Sequence, residues 1–255
     1  MKFRKMHGLG NDFVIFDART EDLFITPDDM ALIADRHWGV GCDLITVIDA
    51  SEKADAQVFF FNADGSDSAT CGNASRCVAD IIMNETGKDS CTLEAGTRTL
   101  ECTRKDDLVQ VNMGASKDTK DMDLSYGGVE KPVAVDIGNP HLVFFVDDIE
   151  SVDVEDVGAH FETHDDFPER TNVEFVQVID KTHLRQKTWE RGVGVTEACG
   201  SGACAVAVAA IHRELSEKKV EIELDGGLMT IEQTDGGDLL MTGPVAYVFD
   251  GKIAA

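Results

Sequence analysis

Short runs of β-branched, aromatic and aliphatic residues recur along the whole 255-residue chain. Gly, Asn and Asp separate these runs, as is typical of strands joined by turns. The pattern therefore predicts a protein that consists mainly of strands. We expect them at 13–16, 44–48, 58–61, 91–94, 99–103, 108–111, 133–137, 142–146, 173–179, 184–189, 220–224, 229–232, 239–242 and 246–249.

Helical periodicity is confined to a few segments. The first follows the candidate capping residue Thr26, with Pro27 at the first helical position and Gly39 beyond the end. Further helices are predicted near 73–85, 153–161 and 200–215.

The helices near 73 and 200 begin with related sequences. Cys71-Gly72 and Cys199-Gly200 are each followed by a short polar turn, a second cysteine and an apolar helix, and the two cysteines lie 128 positions apart. A separation of half the chain indicates an internal repeat of domain size. The segment 114–130 is polar and Gly-rich, as an interdomain connection would be. We therefore predict two α+β domains of like topology, 1–116, completed by the last strand at about 244–255, and 117–243.

The charge balance excludes some classes of partner. The chain carries 23 Lys+Arg against 48 Asp+Glu, a formal net charge of −25, while 43% of its residues are hydrophobic. Such a chain can bury a core, and its field repels nucleic acids and anionic membrane surfaces. An odd number of cysteines, seven, fits a reducing compartment, and no apolar run could span a bilayer. We expect a cytoplasmic protein.

The two Cys-Gly helix starts suggest chemistry. Unpaired backbone N–H groups and the helix dipole favour a thiolate there, and the glycine lets a carboxylate approach the same N–H groups. Two such starts facing each other across a domain cleft would suit stereoinversion, in which one cysteine removes an α-proton and the other protonates the opposite face. We therefore expect Cys71 and Cys199 to be catalytic.

The other cysteines have a simpler interpretation, because a single cysteine is most often a small buried hydrophobe. We expect this for five of them, Cys42, Cys77, Cys91, Cys102 and Cys204. A zinc site is disfavoured, since Cys-x5-Cys and Cys-x4-Cys differ from the usual zinc spacing and a thiol within a helix points away from one at its start.

Several strings in the right order resemble the diaminopimelate epimerases. They are MHGLGNDF at 6–13, GVGCD at 39–43, FNADGS at 61–66, CGN at 71–73 with Arg76, GNPH at 138–141, Asn172, and ERGVGVTEACGSGA at 190–203. The resemblance covers nearly the whole chain. It implies two pseudo-symmetric α+β domains, each a strand-rich half around a central helix, with the active site in the cleft between them.

The resemblance also implies an activity, the epimerisation of LL- to meso-2,6-diaminopimelate in lysine and cell-wall precursor synthesis, with Cys71 and Cys199 as the acid/base pair. Neither pyridoxal phosphate nor a metal is expected. The reacting carboxylate would be bound by N–H groups of four residues, Gly72, Asn73, Gly200 and Ser201. The rest of the substrate would be bound by six others, Asn11, Asn62, Asn139, Asn172, Glu190 and Arg191.

Each binding residue also has a plain structural interpretation. The asparagines stand beside turn-forming residues, Glu190 and Arg191 could be a solvated pair, Arg76 could be an exposed helix charge, and a histidine such as His141 is usually a hydrogen-bonded structural residue. Two positions depart from the family pattern: Leu44 stands where Gln is common, and Ala74 where Gly is common.

Two other functions stay open at this stage. One is a two-cysteine racemase of the same fold acting on proline or hydroxyproline, and the other is a non-catalytic carboxylate-binding or thiol redox protein. The expected partner is a small-molecule amino-acid substrate. The sequence does not determine the oligomeric state, although relatives of this fold are commonly homodimers.

Overall fold

The computed structural model describes residues 1–20, 23–68 and 71–253. The chain divides into unit 1, Met1–Val111 with Gly243–Ala255, and unit 2, Asn112–Thr242. The predicted domain bounds, 1–116 with 244–255 and 117–243, stay a prediction.

The described residues form strands and helices in the following order. The strands are β1 (Lys2–Gly8), β2 (Asn11–Asp17), β3 (Leu44–Asp49), β4 (Ala56–Asn62), β5 (Asp67–Ser68), β6 (Ser90–Ala95), β7 (Arg98–Lys105), β8 (Leu108–Ala115), β9 (Asp118–Asp121), β10 (Ser125–Tyr126), β11 (Val129–Glu130), β12 (Val133–Asp136), β13 (Pro140–Val146), β14 (Asn172–Val178), β15 (His183–Glu190), β16 (Gly194–Thr196), β17 (Lys219–Leu224), β18 (Gly227–Gln233), β19 (Asp238–Gly243) and β20 (Ala246–Lys252). The helices are α1 (Pro27–Ala34), α2 (Gly72–Thr86), α3 (Val154–Glu162) and α4 (Gly200–His212), and a short 3-10 helix covers Ile149–Ser151.

Unit 1 has a mixed sheet in which β1 pairs antiparallel with β2, β2 parallel with β3, and β3 antiparallel with β4. The sheet continues with β4 parallel to β6, and with antiparallel pairs β6–β7 and β7–β8. The short β5 pairs with β4, and β20 returns to pair antiparallel with β1, as the sequence predicts.

Unit 2 repeats the same order of strand directions. There β12 pairs antiparallel with β13, β13 parallel with β14, β14 antiparallel with β15, β15 parallel with β17, and antiparallel pairs β17–β18 and β18–β19 follow. The registers also agree, because Phe13 pairs with Leu44 in unit 1 while His141 pairs with Asn172 in unit 2, 128 positions later in each strand. The predicted pseudo-symmetric α+β fold is confirmed.

A largely buried helix packs on the strands of each unit. Helix α2 contacts β1, β2, β6 and β7, and α4 contacts β9, β12, β13, β14 and β18. Gly87 ends α2 in the left-handed conformation, with φ of 67°, which glycine adopts without steric cost. Many Ala and Gly residues in α4 leave room for close packing, and nearly all its residues are buried. The catalytic candidates stand at the starts of these two helices.

Helix α1 begins as predicted and ends earlier than Gly39 suggests. The Thr26 side chain accepts from the Asp29 N–H and completes a capping box. The helix ends at Ala34 because Asp35 is extended and its carboxylate accepts the N–H groups of the next two turn residues, His37 and Trp38.

Two longer parts of the chain differ from the sequence prediction, which also lacks the short strands β5 and β16. Lys2–Gly8 forms β1 although its basic residues hide the alternation; Phe3 and Met6 are buried and even Lys5 is 8% exposed. The segment 114–130, predicted as a connection, contains β9, β10 and β11, and β9 pairs with β12 inside unit 2. The segment is polar because most residues of β9 are exposed, and not because it connects two domains. Among the described residues no helix has the length and apolarity needed to cross a bilayer.

Candidate active site

Cys71 and Cys199 occupy the same position in their helices. Each is the N-cap residue with extended backbone, φ −140° and ψ 107° for Cys71, and φ −113° and ψ 111° for Cys199. The Cys71 sulfur accepts the Ala74 N–H at 3.4 Å, and the Cys199 sulfur accepts the Gly202 N–H at 3.3 Å. A sulfur at a helix N-terminus that accepts a backbone N–H is one whose negative charge the helix stabilises.

The first turns of α2 and α4 contribute the predicted anion-binding groups. Gly72 and Asn73 are the first two residues of α2, and Gly200 and Ser201 the first two of α4. N–H groups at these positions have no carbonyl four residues earlier within the helix, so their geometry suits a carboxylate. The structure thus gives each cysteine its own candidate anion site.

In unit 1, Asn11 lies next to Cys71. The Asn11 Oδ1 accepts from the Asn73 amide at 3.2 Å and from the Cys71 thiol at 3.8 Å. The other end of the amide, Nδ2, donates to Asp43 Oδ2 at 2.9 Å, and Arg36 donates to Asp43 Oδ1 at 2.7 Å. Asp43 therefore holds the Asn11 amide with its oxygen towards the cysteine.

Asn62 is the last residue of β4, and its described hydrogen bonds belong to a turn. Its Nδ2 donates to Ser66 Oγ at 2.9 Å, and its carbonyl accepts the Gly65 N–H at 2.9 Å. Leu44, the departure from the family pattern, pairs with Asn62 across β3 and β4 and is half-buried. Asn62 thus fits the turn interpretation and stays a candidate for substrate contact.

In unit 2, a chain of side chains leads to Cys199. Asn139 Nδ2 donates to Ser201 Oγ at 3.3 Å, and Ser201 Oγ lies 3.6 Å from the Cys199 sulfur. Asn139 Oδ1 is 3.1 Å from His141 Nε2, and His141 Nδ1 is 2.7 Å from Glu174 Oε1. His141 and Glu174 are both 0% exposed. His141 is the hydrogen-bonded residue that the sequence suggests.

The remaining candidates of unit 2 surround the end of β15. Asn172 is buried at the start of β14, where its Nδ2 donates to the Pro140 carbonyl and its Oδ1 accepts the Arg191 N–H, both at 3.0 Å. Glu190 accepts from Thr196 Oγ1 at 2.6 Å. The Arg191 side chain is exposed and donates to the Glu169 carbonyl at 3.0 Å. Asn172 thereby fixes the backbone that carries Glu190 and Arg191.

The ionisation of Cys199 is governed mainly by burial. Burial raises the pKa of Cys199 well above its ordinary value, and the Glu190 and Glu174 carboxylates raise it further, while the Ser201 hydroxyl and the Gly202 N–H oppose them. The helix start acts in the expected direction, but desolvation outweighs it. Burial therefore favours the thiol form of Cys199, while the helix start favours the thiolate as the sequence predicts.

The equivalence of the two units extends to the site. Adding 128 to Asn11, Leu44, Asn62, Cys71 and Asn73 gives residues that occupy the same positions in unit 2, namely Asn139, Asn172, Glu190, Cys199 and Ser201. Asp43 and Glu174 belong to these clusters and are not found by the sequence reasoning. One signal existed for Glu174, because it is a single charge inside an apolar strand.

Arg76 differs from its sequence interpretation. Arg76 is fully buried and not an exposed helix charge; Gly8 and Gly243 leave space for it, since a Cβ at Gly8 would lie 2.9 Å from its guanidinium.

The five remaining cysteines, Cys42, Cys77, Cys91, Cys102 and Cys204, are buried as predicted. Burial raises the pKa of Cys42 to about 11, in keeping with a packing role. Across 1–20, 23–68 and 71–253 no group of three or more His, Cys, Asp and Glu side chains is arranged to hold a metal.

Comparison with known proteins gives consistent results. The family model described as diaminopimelate epimerase matches residues 3–118 and 133–248. The chain is 45% identical to a diaminopimelate epimerase from Acidiphilium cryptum, over 99% of this chain and 96% of that protein. It is 41% identical to one from Bacteroides thetaiotaomicron, over 99% and 98% of the two chains.

Two solved structures share the fold at low sequence identity. A phenazine biosynthesis protein of the PhzF family from Bacillus anthracis superposes with a TM-score of 0.76 at 15% identity, covering 100% of this chain and 99% of that one. A hydroxyproline epimerase from Agrobacterium vitis gives 0.70 at 14% identity, covering 98% and 91%. These likenesses concern the fold alone.

Proposed function

Because the chain belongs to the diaminopimelate epimerase family, we propose that it interconverts LL- and meso-2,6-diaminopimelate through a two-base mechanism, as a step in lysine and cell-wall precursor synthesis. The observation that carries the proposal is that Cys71 and Cys199 are both N-cap residues whose sulfurs accept the N–H of the third helical residue. Two equivalent sulfurs, one per unit, are what inversion at one carbon requires.

The reaction divides into two proton transfers. The thiolate of one cysteine takes the α-proton and becomes a thiol, and the electron pair left on the carbon is delocalised into the substrate carboxylate. N–H groups of the helix first turns at Gly72, Asn73, Gly200 and Ser201 stabilise that charge. The thiol of the other cysteine gives its proton to the opposite face of the carbon and becomes a thiolate, so each turnover exchanges the roles of the two sulfurs.

The distal amino acid group of the substrate needs partners of both charges. A carboxylate suits its ammonium group, and a planar guanidinium suits its carboxylate. Glu190 and Arg191 are adjacent and supply both, and Asn172 holds the Arg191 backbone. Asn11, Asn62 and Asn139 offer amides for the remaining polar atoms. The proposed mechanism uses only side chains and N–H groups of the chain, without metal or pyridoxal phosphate.

The test is incubation of LL-diaminopimelate in D₂O, followed by chiral separation and mass spectrometry. Because the protonating thiol exchanges with solvent, we expect meso product carrying one deuterium at the inverted carbon. Binding of the substrate without isotope incorporation and without inversion would refute the activity and favour a carboxylate-binding or redox role. A parallel panel with proline and hydroxyproline should show no turnover, since neither offers a distal group for Glu190 and Arg191.

Variants of the four helix cysteines separate catalysis from packing. Cys71→Ala and Cys199→Ala should each abolish epimerisation in a folded protein, because each removes a proton carrier. The matched controls Cys77→Ala and Cys204→Ala lie in the same helices and should remain active while losing about 1 kcal/mol of unfolding free energy. A folded Cys77→Ala protein as inactive as Cys71→Ala would show that the roles are assigned wrongly.

A further inference from the structure

Two equivalent asparagines present opposite ends of their amides to the residue two positions after each catalytic cysteine, Asn73 and Ser201. Asn11 and Asn139 are 128 positions apart. Each lies two residues before a residue, Phe13 or His141, that pairs in the same register in its unit. Asn11 directs its oxygen to Cys71 and Asn73. Asn139 directs its nitrogen to Ser201, which contacts Cys199. The sequence repeat does not explain this reversal, so its cause lies in the neighbours of each amide.

In unit 1 the neighbour is a carboxylate. Asp43 pairs with Arg36, and a carboxylate only accepts hydrogen bonds, so it binds the NH₂ end of Asn11. The amide oxygen is then the end that remains for Cys71, and an oxygen next to a sulfur stabilises the protonated thiol.

In unit 2 the neighbour is the imidazole of His141. Its Nε2 faces the Asn139 oxygen, and because an amide oxygen only accepts, Nε2 can form a hydrogen bond to it only when Nε2 carries a proton. Its Nδ1 faces Glu174, whose second oxygen, Oε2, is buried and has no hydrogen-bond partner among the described residues. At the equivalent positions unit 1 has Phe13 and Thr46, so this pair is a feature of unit 2.

We propose that Glu174 is a positioning residue for Cys199. Glu174 and His141 together hold two protons, one between Oε1 and Nδ1 and one on Nε2, and the pair is neutral overall. The Nε2 proton fixes the Asn139 oxygen, the Asn139 nitrogen then donates to Ser201, and the Ser201 hydroxyl donates to the Cys199 sulfur. The role rests on the proposed function, in which Cys199 carries a proton, but its measurement does not require turnover.

The groups around Cys199 determine the sign of the expected effect. Glu190 approaches it from β15, Glu174 from β14, His141 from β13, and Ser201 and the Gly202 N–H from α4. The Glu174 carboxylate by itself raises the pKa of Cys199. In the proposed two-proton state, His141 offsets that charge. In Glu174→Gln the glutamine can donate or accept, so the Nε2 proton is no longer enforced and the Ser201 hydroxyl no longer points steadily at the sulfur. The thiolate then loses a hydrogen bond without any change in net charge. If Glu174 instead acted as an unpaired charge, its removal would favour the thiolate.

The experiment measures iodoacetamide alkylation of each cysteine by peptide mass spectrometry between about pH 7 and pH 10 in ligand-free wild type and Glu174→Gln. We expect the Cys199 profile to move to higher pH by about half a unit, an alkylation rate about 3-fold slower at fixed pH. Cys71 serves as the internal control and should not change. A Cys199 profile that moves to lower pH, stays in place, or moves together with that of Cys71 would overturn the proposal.

Two further measurements guard against an indirect effect. Glu162 is another buried carboxylate of unit 2, bound by Trp189 Nε1 at 2.7 Å and the Gly192 N–H at 3.0 Å, and Glu162→Gln should leave the Cys199 profile unchanged. If it moves the profile equally, the effect is not specific to Glu174. In the wild type, which needs no folding control, ¹⁵N NMR of His141 should show a protonated Nε2 at neutral pH, and a bare Nε2 would contradict the proposal. An inactive wild type with these reactivity results would refute only the proposed function.

Discussion

Gly202 is the third residue of α4, and the structure leaves no room for a side chain there. A Cβ would lie 2.7 Å from Glu174 Oε1 and 3.2 Å from both Cβ and Sγ of Cys199. The carboxylate would have to retreat by about 0.5 Å or more to reach an ordinary contact distance. Glu174 is fully buried and bound to His141 at 2.7 Å, so that movement breaks or lengthens the hydrogen bond.

The predicted perturbation is Gly202→Ala. Overpacking of a tight site costs typically 1–3 kcal/mol, and the higher helix propensity of Ala returns at most about 1 kcal/mol. We therefore expect a net loss of about 1–2 kcal/mol of unfolding free energy in urea titrations followed by circular dichroism. The epimerase activity of the folded variant should also fall, because the displaced residue, Glu174, acts electrostatically on Cys199.

The chain contains its own control for this change. The equivalent third residue of α2 is already alanine, Ala74, whose N–H binds the Cys71 sulfur in the same way, and unit 1 has Thr46 where unit 2 has Glu174. Ala74→Gly should cost at most about 1 kcal/mol, from propensity alone. The Ala departure from the family pattern is thus accommodated in unit 1 and would not be in unit 2.

A double-mutant cycle identifies the atom responsible. If the conflict is with the Glu174 carboxylate, Gly202→Ala should cost much less in a Glu174→Ala background, giving a coupling of about 1 kcal/mol or more. Equal losses in both backgrounds would place the conflict at Cys199 alone. A Gly202→Ala protein as stable as the wild type would refute the steric reasoning altogether.

Two further predictions concern charges. Arg191→Lys should lower kcat/KM for diaminopimelate by about 10- to 100-fold, because a lysine cannot make a two-pronged contact with a carboxylate, and an unchanged value would place Arg191 outside the site. Burial acts to raise the pKa of Asp12, but hydrogen bonds from Arg36 and Lys5 hold that pKa below its ordinary value. The stabilisation by Asp12 is therefore complete above its unfolded pKa, about 4, and is lost as pH falls through the lower folded pKa. Asp12→Asn should cost about 2 kcal/mol in urea unfolding at pH 7 and clearly less near pH 2–3, and a constant difference would contradict this assignment.

The sequence determines much of this protein by local rules. Gly after Cys at two helix starts, the Thr26-Pro27 helix start and the 128-residue repeat are local patterns, and the structure has α1, α2 and α4 where they predict helices. Burial of the five packing cysteines also follows from the sequence, since an apolar helix face or strand is recognisable by its period. The strand β1 is less readable, because its lysines and arginines interrupt the apolar alternation.

The tertiary structure alone decides what surrounds each cysteine. The repeat makes Asn11 and Asn139 look alike, yet Asp43 faces one amide and His141 the other. Asp43 is 32 residues from Asn11, just before β3, which pairs with β2. The sequence shows Glu174 as a lone charge in an apolar strand, but only the parallel register of β13 and β14 brings it beside His141. Burial of the Cys199 sulfur likewise outweighs the helix start that the sequence reveals. Hydrogen-bond direction and desolvation depend on contacts between residues distant in sequence, whereas helix caps and turns depend on neighbours along the chain.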